Sequence, residues 1–221
     1  MSNRYRWIPS LRVRQTAARV AVVLGMVVPL ASCTSVQRDG QGTSYLIIDS
    51  LLAASGATPD EFGGTLSSDV LTLVPAGQDA DGNELFAPTV YADPGSVRFR
   101  LAPKDPSVRL MPANFITVTR YRVDFVRSDG RNTPGVDVPY GFDGAFTATV
   151  TDTGGAGTFE LVRIQAKLEA PLKALVDNGG AIAIATMAEI TFYGQDQAGR
   201  EVSVTGRIGV NFSDWGDPDI S

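Results

Sequence analysis

The feature that most constrains the fold of this sequence is a repeated alternation of apolar and polar residues after residue 43. In 96–102 three apolar residues alternate with arginines, and 120–127 follows the same rule. In 161–169, Ile164 and Leu168 fall on the apolar side and Lys167 on the polar side. A period of two places alternate side chains on opposite faces of a β-strand. Each segment therefore predicts a strand with one buried face, as in antiparallel sheets.

A long β-hairpin is predicted near the C-terminus. The alternating segments 187–194 and 201–212 flank "QDQAGR", a turn-forming stretch that contains Gly199. Residues 145–152 predict a further strand. Weaker strand candidates and two helical alternatives complete the list: strands at 45–51, 69–74 and 89–92, a helix start within 44–56, and one helical turn within 170–180.

Seven or eight strands with little helix predict an all-β fold, an antiparallel β-sandwich. The strand pattern resembles that of immunoglobulin-like and fibronectin-type sandwiches. The resemblance covers the pattern only, because one cysteine cannot supply the Cys…Trp…Cys signature of true immunoglobulin domains. A closed β-barrel is the alternative architecture.

The first 33 residues have the order of elements found in secretory signals. Five arginines and no acidic residue occupy 1–19, an apolar run covers 20–30, and Ala31 and Ser32 are small. The run has 11 residues, whereas a helix that spans a bilayer needs about 20. We therefore expect an export signal and not a permanent membrane span.

Leu30, Ala31, Ser32 and Cys33 resemble the lipobox of bacterial lipoproteins. The resemblance implies cleavage between Ser32 and Cys33 and attachment of lipid to Cys33, the only cysteine. Together with the strand pattern, it divides the chain into a signal peptide (1–32), a lipidated cysteine with a flexible tether (33–43) and a β-sandwich domain (44–221). It also implies a lipid-anchored protein of the bacterial cell envelope, on a periplasmic or outward-facing membrane surface.

The charge balance argues against nucleic acid as a partner. The chain has 19 basic and 24 acidic residues, and loss of the five signal arginines would leave 14 basic residues and a net charge of −10. A distinctly acidic domain repels phosphate backbones. We expect membrane lipid at Cys33 and an envelope protein as the partners.

Several catalytic chemistries are excluded because the chain has no histidine and a single cysteine. We expect no cofactor. Carboxylate pairs remain as catalytic candidates: Asp137 with Asp143, and Asp214 with Asp217 and Asp219. A loose calcium loop through Asp79, Asp81 and Asn83 competes with a simple β-turn at Asp81-Gly82.

Aromatic residues in two loops are the candidate contacts for a ligand or partner. Residues 131–144 are rich in proline and glycine and contain Tyr140 and Phe142, and Trp215 lies near the C-terminus. The alternative is that these rings cover the ends of the sandwich. We predict a non-catalytic docking role in the envelope, with a carbohydrate- or small-ligand-binding module and a carboxylate-based hydrolase as alternatives.

Overall fold

The computed structural model describes residues 42–176 and 182–215. Cys33, Ser32, Asp217 and Asp219 therefore lie outside the described residues. The described residues contain ten strands and one short α-helix: β1 (Ser44–Ala53), β2 (Thr65–Asp69), β3 (Thr72–Gln78), β4 (Glu84–Thr89), β5 (Asp93–Pro103), β6 (Ile116–Val126), β7 (Phe142–Val150), β8 (Gly155–Val162), α1 (Ile164–Leu168), β9 (Ile184–Asp196) and β10 (Glu201–Ser213). Two 3₁₀ turns cover Pro112–Asn114 and Leu172–Leu175.

The strands form two large sheets and one small one. The first sheet has the order β2-β10-β9-β6-β7, the second β1-β5-β8, and β3 and β4 form a two-stranded sheet of their own. All pairs are antiparallel except β2 with β10. The prediction of an all-β, sandwich-like fold is thus confirmed.

Aromatic rings fill the space between the two large sheets. Phe99 of β5 meets Phe192 of β9 edge to face, with ring centroids 5.0 Å apart, and Phe159 of β8 contacts the same ring at 5.3 Å. Phe146 of β7 lies 5.4 Å from Phe192. Because each of these rings comes from an inward-facing position of its strand, the alternation in the sequence produces one continuous core.

The C-terminal hairpin is confirmed, and it is longer than its sequence signal. β9 and β10 pair from Glu201 with Gln195 to Phe212 with Ile184. Gly199 closes the turn with a φ of 77°, a conformation that glycine adopts without strain. The segment that offered a helix start, 44–56, instead forms β1, which pairs with β5.

The predicted strand across 161–169 is wrong in its second half. β8 ends at Val162, and the chain then turns into α1. Ile164 and Leu168 are exposed, while Lys167 is buried. Lys167 pairs with Asp93, which is distant in the sequence, and local alternation cannot predict such a pairing. The helical turn predicted within 170–180 is present as the 3₁₀ turn Leu172–Leu175.

The strand count is ten in the described residues, against seven or eight predicted. The additional short strands β2 and β4 have the sequences TLSSD and ELFAPT, which show little apolar alternation. Their partners are supplied by tertiary pairing with β10 and β3.

Residues from Gln41 onward form a compact unit with its own hydrophobic core. This unit therefore contains what it needs to fold without the first forty residues. In the ranges 42–176 and 182–215, no helix is long and apolar enough to cross a membrane.

Candidate functional site

The loop between β6 and β7 holds a defined shape. Gly135 has a φ of 76°, and the ring of Tyr140 lies directly against it, so a Cβ at position 135 would meet the Tyr140 hydroxyl. The Asp137 carboxylate accepts a hydrogen bond from the backbone N–H of Thr133 at 3.1 Å. Glycine at 135 is thus required both for backbone conformation and for close approach of the ring.

This loop and α1 enclose a cavity of about 240 Å³. Tyr140 borders it with 59% of its surface exposed, whereas Phe142 is buried. The guanidinium of Arg163 lies 3.8 Å from the centroid of the Phe142 ring, and Gln165 and Glu169 of the helical segment line the opposite wall. The two aromatic residues therefore have different roles: Phe142 supports the site and Tyr140 faces solvent.

Acidic residues beside the cavity are held in ion pairs. Asp143 contacts Arg122 at 2.9 Å and Arg120 at 3.4 Å, and Arg122 also binds both carboxylate oxygens of Asp124 at 2.8 Å. Hydrogen bonds and charge from Asp124 raise the pKa of the Arg122 guanidinium, with a smaller contribution from Asp143. The carboxylate candidate Asp143 is thus part of a surface ion network, and its proposed partner Asp137 binds the loop backbone.

The residues of the calcium candidate form the turn between β3 and β4. The Asp79 carboxylate accepts hydrogen bonds from the N–H groups of Asp81 and Asn83 and from the Asn83 side-chain amide, each at 2.9 Å. These hydrogen bonds, led by the Asn83 side chain, lower the pKa of Asp79. Gly82 adopts a φ of 86°. Among the described residues no group of three or more His, Cys, Asp or Glu side chains is arranged to hold a metal ion.

A feature that the sequence reasoning missed is an unburied arm, residues 71–92, which contains β3 and β4. No residue of this β3–β4 arm is buried. Pro75 lies opposite Phe86 and Leu73 opposite Pro88, and Leu85 is 47% exposed. Neither strand makes more than marginal contact with any other described element. The sequence signal for it was two apolar runs on either side of "DADGNE".

Trp215, the third aromatic candidate, lies at the edge of the sandwich. Trp215 is 37% exposed, and its backbone N–H donates to the Asp69 carboxylate at 2.9 Å. The catalytic candidate Asp214 is buried beside it. Tyr140, Phe142 and Trp215 do not form one exposed row, because Phe142 points into the core, although the β6–β7 loop and Trp215 lie at the same end of the five-stranded sheet.

A buried ion pair was also missed. Lys167 of α1 donates to Asp93 of β5 at 2.9 Å, and both side chains are almost completely inaccessible. Asp93 also accepts from the Ser68 hydroxyl at 2.5 Å and from the Gly56 N–H at 2.8 Å. The group joins a strand of each large sheet to the helix. The Ser68, Asp93 and Lys167 side chains of this group are all buried.

No family model, curated protein or solved structure matches this chain. The structure defines the class of the protein as an all-β, sandwich-like domain. Its function is therefore inferred from its surfaces.

Proposed function

We propose that this chain is an exported lipoprotein of the bacterial cell envelope, anchored through Cys33, whose domain docks onto another envelope protein without catalysing a reaction. The observation that carries the docking role is the β3–β4 arm. It presents apolar side chains such as Leu85 that the core does not bury. A two-stranded hairpin is marginally stable alone in water, so a partner surface would complete it.

Charge identifies the kind of protein that fits the arm. The arm, residues 71–92, contains no lysine or arginine and three acidic residues, Asp79, Asp81 and Glu84, which lie at or beside its tip. A partner with a basic surface around an apolar groove complements this arm. Pro75 and Pro88 remove backbone donors from the two strands, which disfavours extension of the sheet and favours docking through side chains.

The non-catalytic part of the proposal has two supports. Asp143 forms ion pairs with Arg120 and Arg122, and the Asp137 carboxylate accepts a hydrogen bond from the backbone of its own loop. The buried Ser68, Asp93 and Lys167 group has no access for a substrate. These contacts support a structural role for the five groups.

The anchor is tested by fractionating cells that express the full chain. Cys33→Ala should release the protein from membranes, because the acyl chains that hold it would be lost. Thr34→Ala is the matched control and should stay membrane-bound. Continued membrane residence of the Cys33→Ala variant would overturn the anchor.

The docking role is tested by extracting the native protein in mild detergent and identifying the proteins that co-migrate with it. Charge reversal in the arm by Asp81→Lys with Glu84→Lys should abolish the co-migration of a basic partner. Asp60→Lys with Glu61→Lys changes the net charge equally at exposed residues outside the arm and should retain it. Equal loss, or equal retention, in both double variants would refute docking through the arm.

A second candidate function has its own observation. The cavity beside Tyr140 combines an exposed ring with Gln165 and Glu169, and sugars bind by stacking on aromatic faces and hydrogen bonding to such groups. Titration with a glycan panel, observed by calorimetry, tests it. Binding that disappears in Tyr140→Ala would favour a carbohydrate module, and absence of heat across the panel would count against it.

A further inference from the structure

The loop after β5 carries exposed apolar and basic side chains together. Val108 is 52% exposed and Met111 63%, and Tyr45 of β1, which contacts Lys104 of this loop, is 56% exposed. Lys104 lies over the Tyr45 ring, with its Nζ 5.1 Å from the centroid, and Arg109 falls between the two exposed apolar residues. We call Tyr45, Lys104, Val108, Arg109 and Met111 the entry patch.

The entry patch is joined to the point where the chain enters the domain. The N–H of Lys104 donates to the carbonyl of Thr43 at 3.0 Å, and the side-chain amide of Asn114 donates to the Thr43 hydroxyl at 2.6 Å. Asn114 in turn accepts from the N–H of Met111 at 2.9 Å. These bonds hold both ends of the loop against Thr43.

The entry patch adjoins Thr43, which lies close in the sequence to Cys33, the proposed site of lipid attachment. Thr43 follows Cys33 by ten residues, which reach at most about 35 Å when fully extended. A short flexible linker confers an effective concentration in the millimolar range. If Cys33 carries lipid, the entry patch is held near the bilayer surface whatever its own affinity.

The side chains suit such a surface. Apolar groups flanked by lysine and arginine bind the interfacial region of membranes, with the cations at the anionic headgroups. The nearby Asp105 carboxylate accepts from the hydroxyl and N–H of Ser107 at 2.6 and 2.9 Å. Residues 103–114 contain Lys104 and Arg109 against the single acidic residue Asp105, a net charge of +1 in an otherwise acidic chain.

From these observations we propose that the entry patch is a second membrane contact, which lays this end of the sandwich on an anionic bilayer. The proposal rests on the proposed function, since the Cys33 anchor supplies the proximity. It fixes the orientation of the domain, and the opposite end of the sandwich, with Tyr140, points away from the lipid. β6 runs the length of the sandwich between these two ends.

The test uses residues 41–221, which form their own folded unit and contain no cysteine. Met111→Cys is labelled with a polarity-sensitive fluorophore and mixed with phosphatidylglycerol vesicles at millimolar lipid. The matched control is Val136→Cys, an equally exposed apolar position in the loop at the other end of β6. We expect a blue shift of the emission at position 111 and none at 136.

Charge variants and neutral lipid complete the test. Lys104→Ala and Arg109→Ala should each weaken vesicle binding about fivefold, and phosphatidylcholine vesicles should give a much smaller shift. No shift at 111, or equal shifts at 111 and 136, would overturn the proposal. An equal shift with both lipids would overturn the assignment to anionic lipid. Because this fragment lacks Cys33, failure here leaves the fractionation result for the anchor unaffected.

Discussion

At the scale of single residues, the most consequential side chain is Lys167. Its ammonium group is buried against Asp93, which is itself held by Ser68 and Gly56. A buried charge is tolerated only when a partner and hydrogen bonds replace water. The four groups thus depend on one another, and removal of one member leaves the others uncompensated.

We expect Lys167→Met to lower the free energy of unfolding by about 3–5 kcal/mol, because Asp93 would remain as an unpaired buried charge. Urea denaturation measures this loss. Lys173→Met alters an exposed lysine in the next turn and should change stability by less than about 0.5 kcal/mol. Adding Asp93→Asn to Lys167→Met should recover part of the loss, and strict additivity would contradict the pairing.

A second residue couples stability to pH. Burial acts to raise the pKa of Asp196, but hydrogen bonds from Arg200 and Ala198 and the Arg200 charge outweigh it and lower the pKa below 3.8. A carboxylate with a lowered pKa stabilises the fold above its unfolded pKa, and this contribution is lost as the pH falls through the folded pKa. We expect Asp196→Asn to be less stable than wild type at pH 7 and the difference to shrink toward pH 3. Denaturation at both pH values checks this, and a constant difference would contradict it.

At the scale of elements, Tyr121 connects the two large sheets through hydrogen bonds. Its hydroxyl donates to the carbonyl of Glu160 in β8 and accepts from the N–H of the same residue, at 3.0 and 3.2 Å. The ring lies over Gly144 of β7, directly opposite it in register. A strand of one sheet thereby bonds to a strand of the other through a single side chain.

Gly144→Ala should lower the free energy of unfolding by about 1–3 kcal/mol, since its Cβ would lie 2.2 Å from the Tyr121 ring and force the ring or strand to shift. Thermal or urea unfolding gives the value. Gly64→Ala is the control, because a Cβ there has nothing within 4 Å. Equal stability of both variants would show that Tyr121 moves freely, against the packing described.

At the scale of the whole molecule, the β3–β4 arm lies outside the core of the sandwich. The core is formed by the two large sheets, and residues 71–92 contribute nothing buried to it. Two surfaces with exposed apolar side chains therefore remain: the arm, which we propose for a protein partner, and the entry patch, which we propose for lipid. Both follow from the fold leaving apolar side chains outside the core.

We expect Leu85→Ser in the arm to change the free energy of unfolding by less than about 1 kcal/mol, because Leu85 is already 47% exposed and lies outside the core. Phe192→Ala in the core should cost about 3–5 kcal/mol by comparison. Denaturation curves of the two variants test the separation. A large loss in Leu85→Ser would mean that the arm packs on the domain in solution.

Much of the architecture was determined by the sequence alone. Alternation at 96–102 identified the middle of β5, alternation at 120–127 identified the second half of β6, and the two segments around Gly199 predicted the hairpin of β9 and β10. These predictions succeeded because a strand with one buried face can be identified from local periodicity alone. Tyr140 and Phe142 belong to the same predicted loop, yet the first is exposed and the second is buried, a difference that local sequence did not predict.

What only the tertiary structure decided depends on contacts between distant residues. Lys167 is buried because Asp93, 74 positions earlier, meets it, and the same contact turns the end of a predicted strand into a helix. The exposure of the arm and of the entry patch likewise follows from which faces the two sheets cover. Local sequence specifies what a segment prefers, whereas burial and charge pairing are properties of the whole packed chain, and the candidate surfaces of this protein are set by the latter.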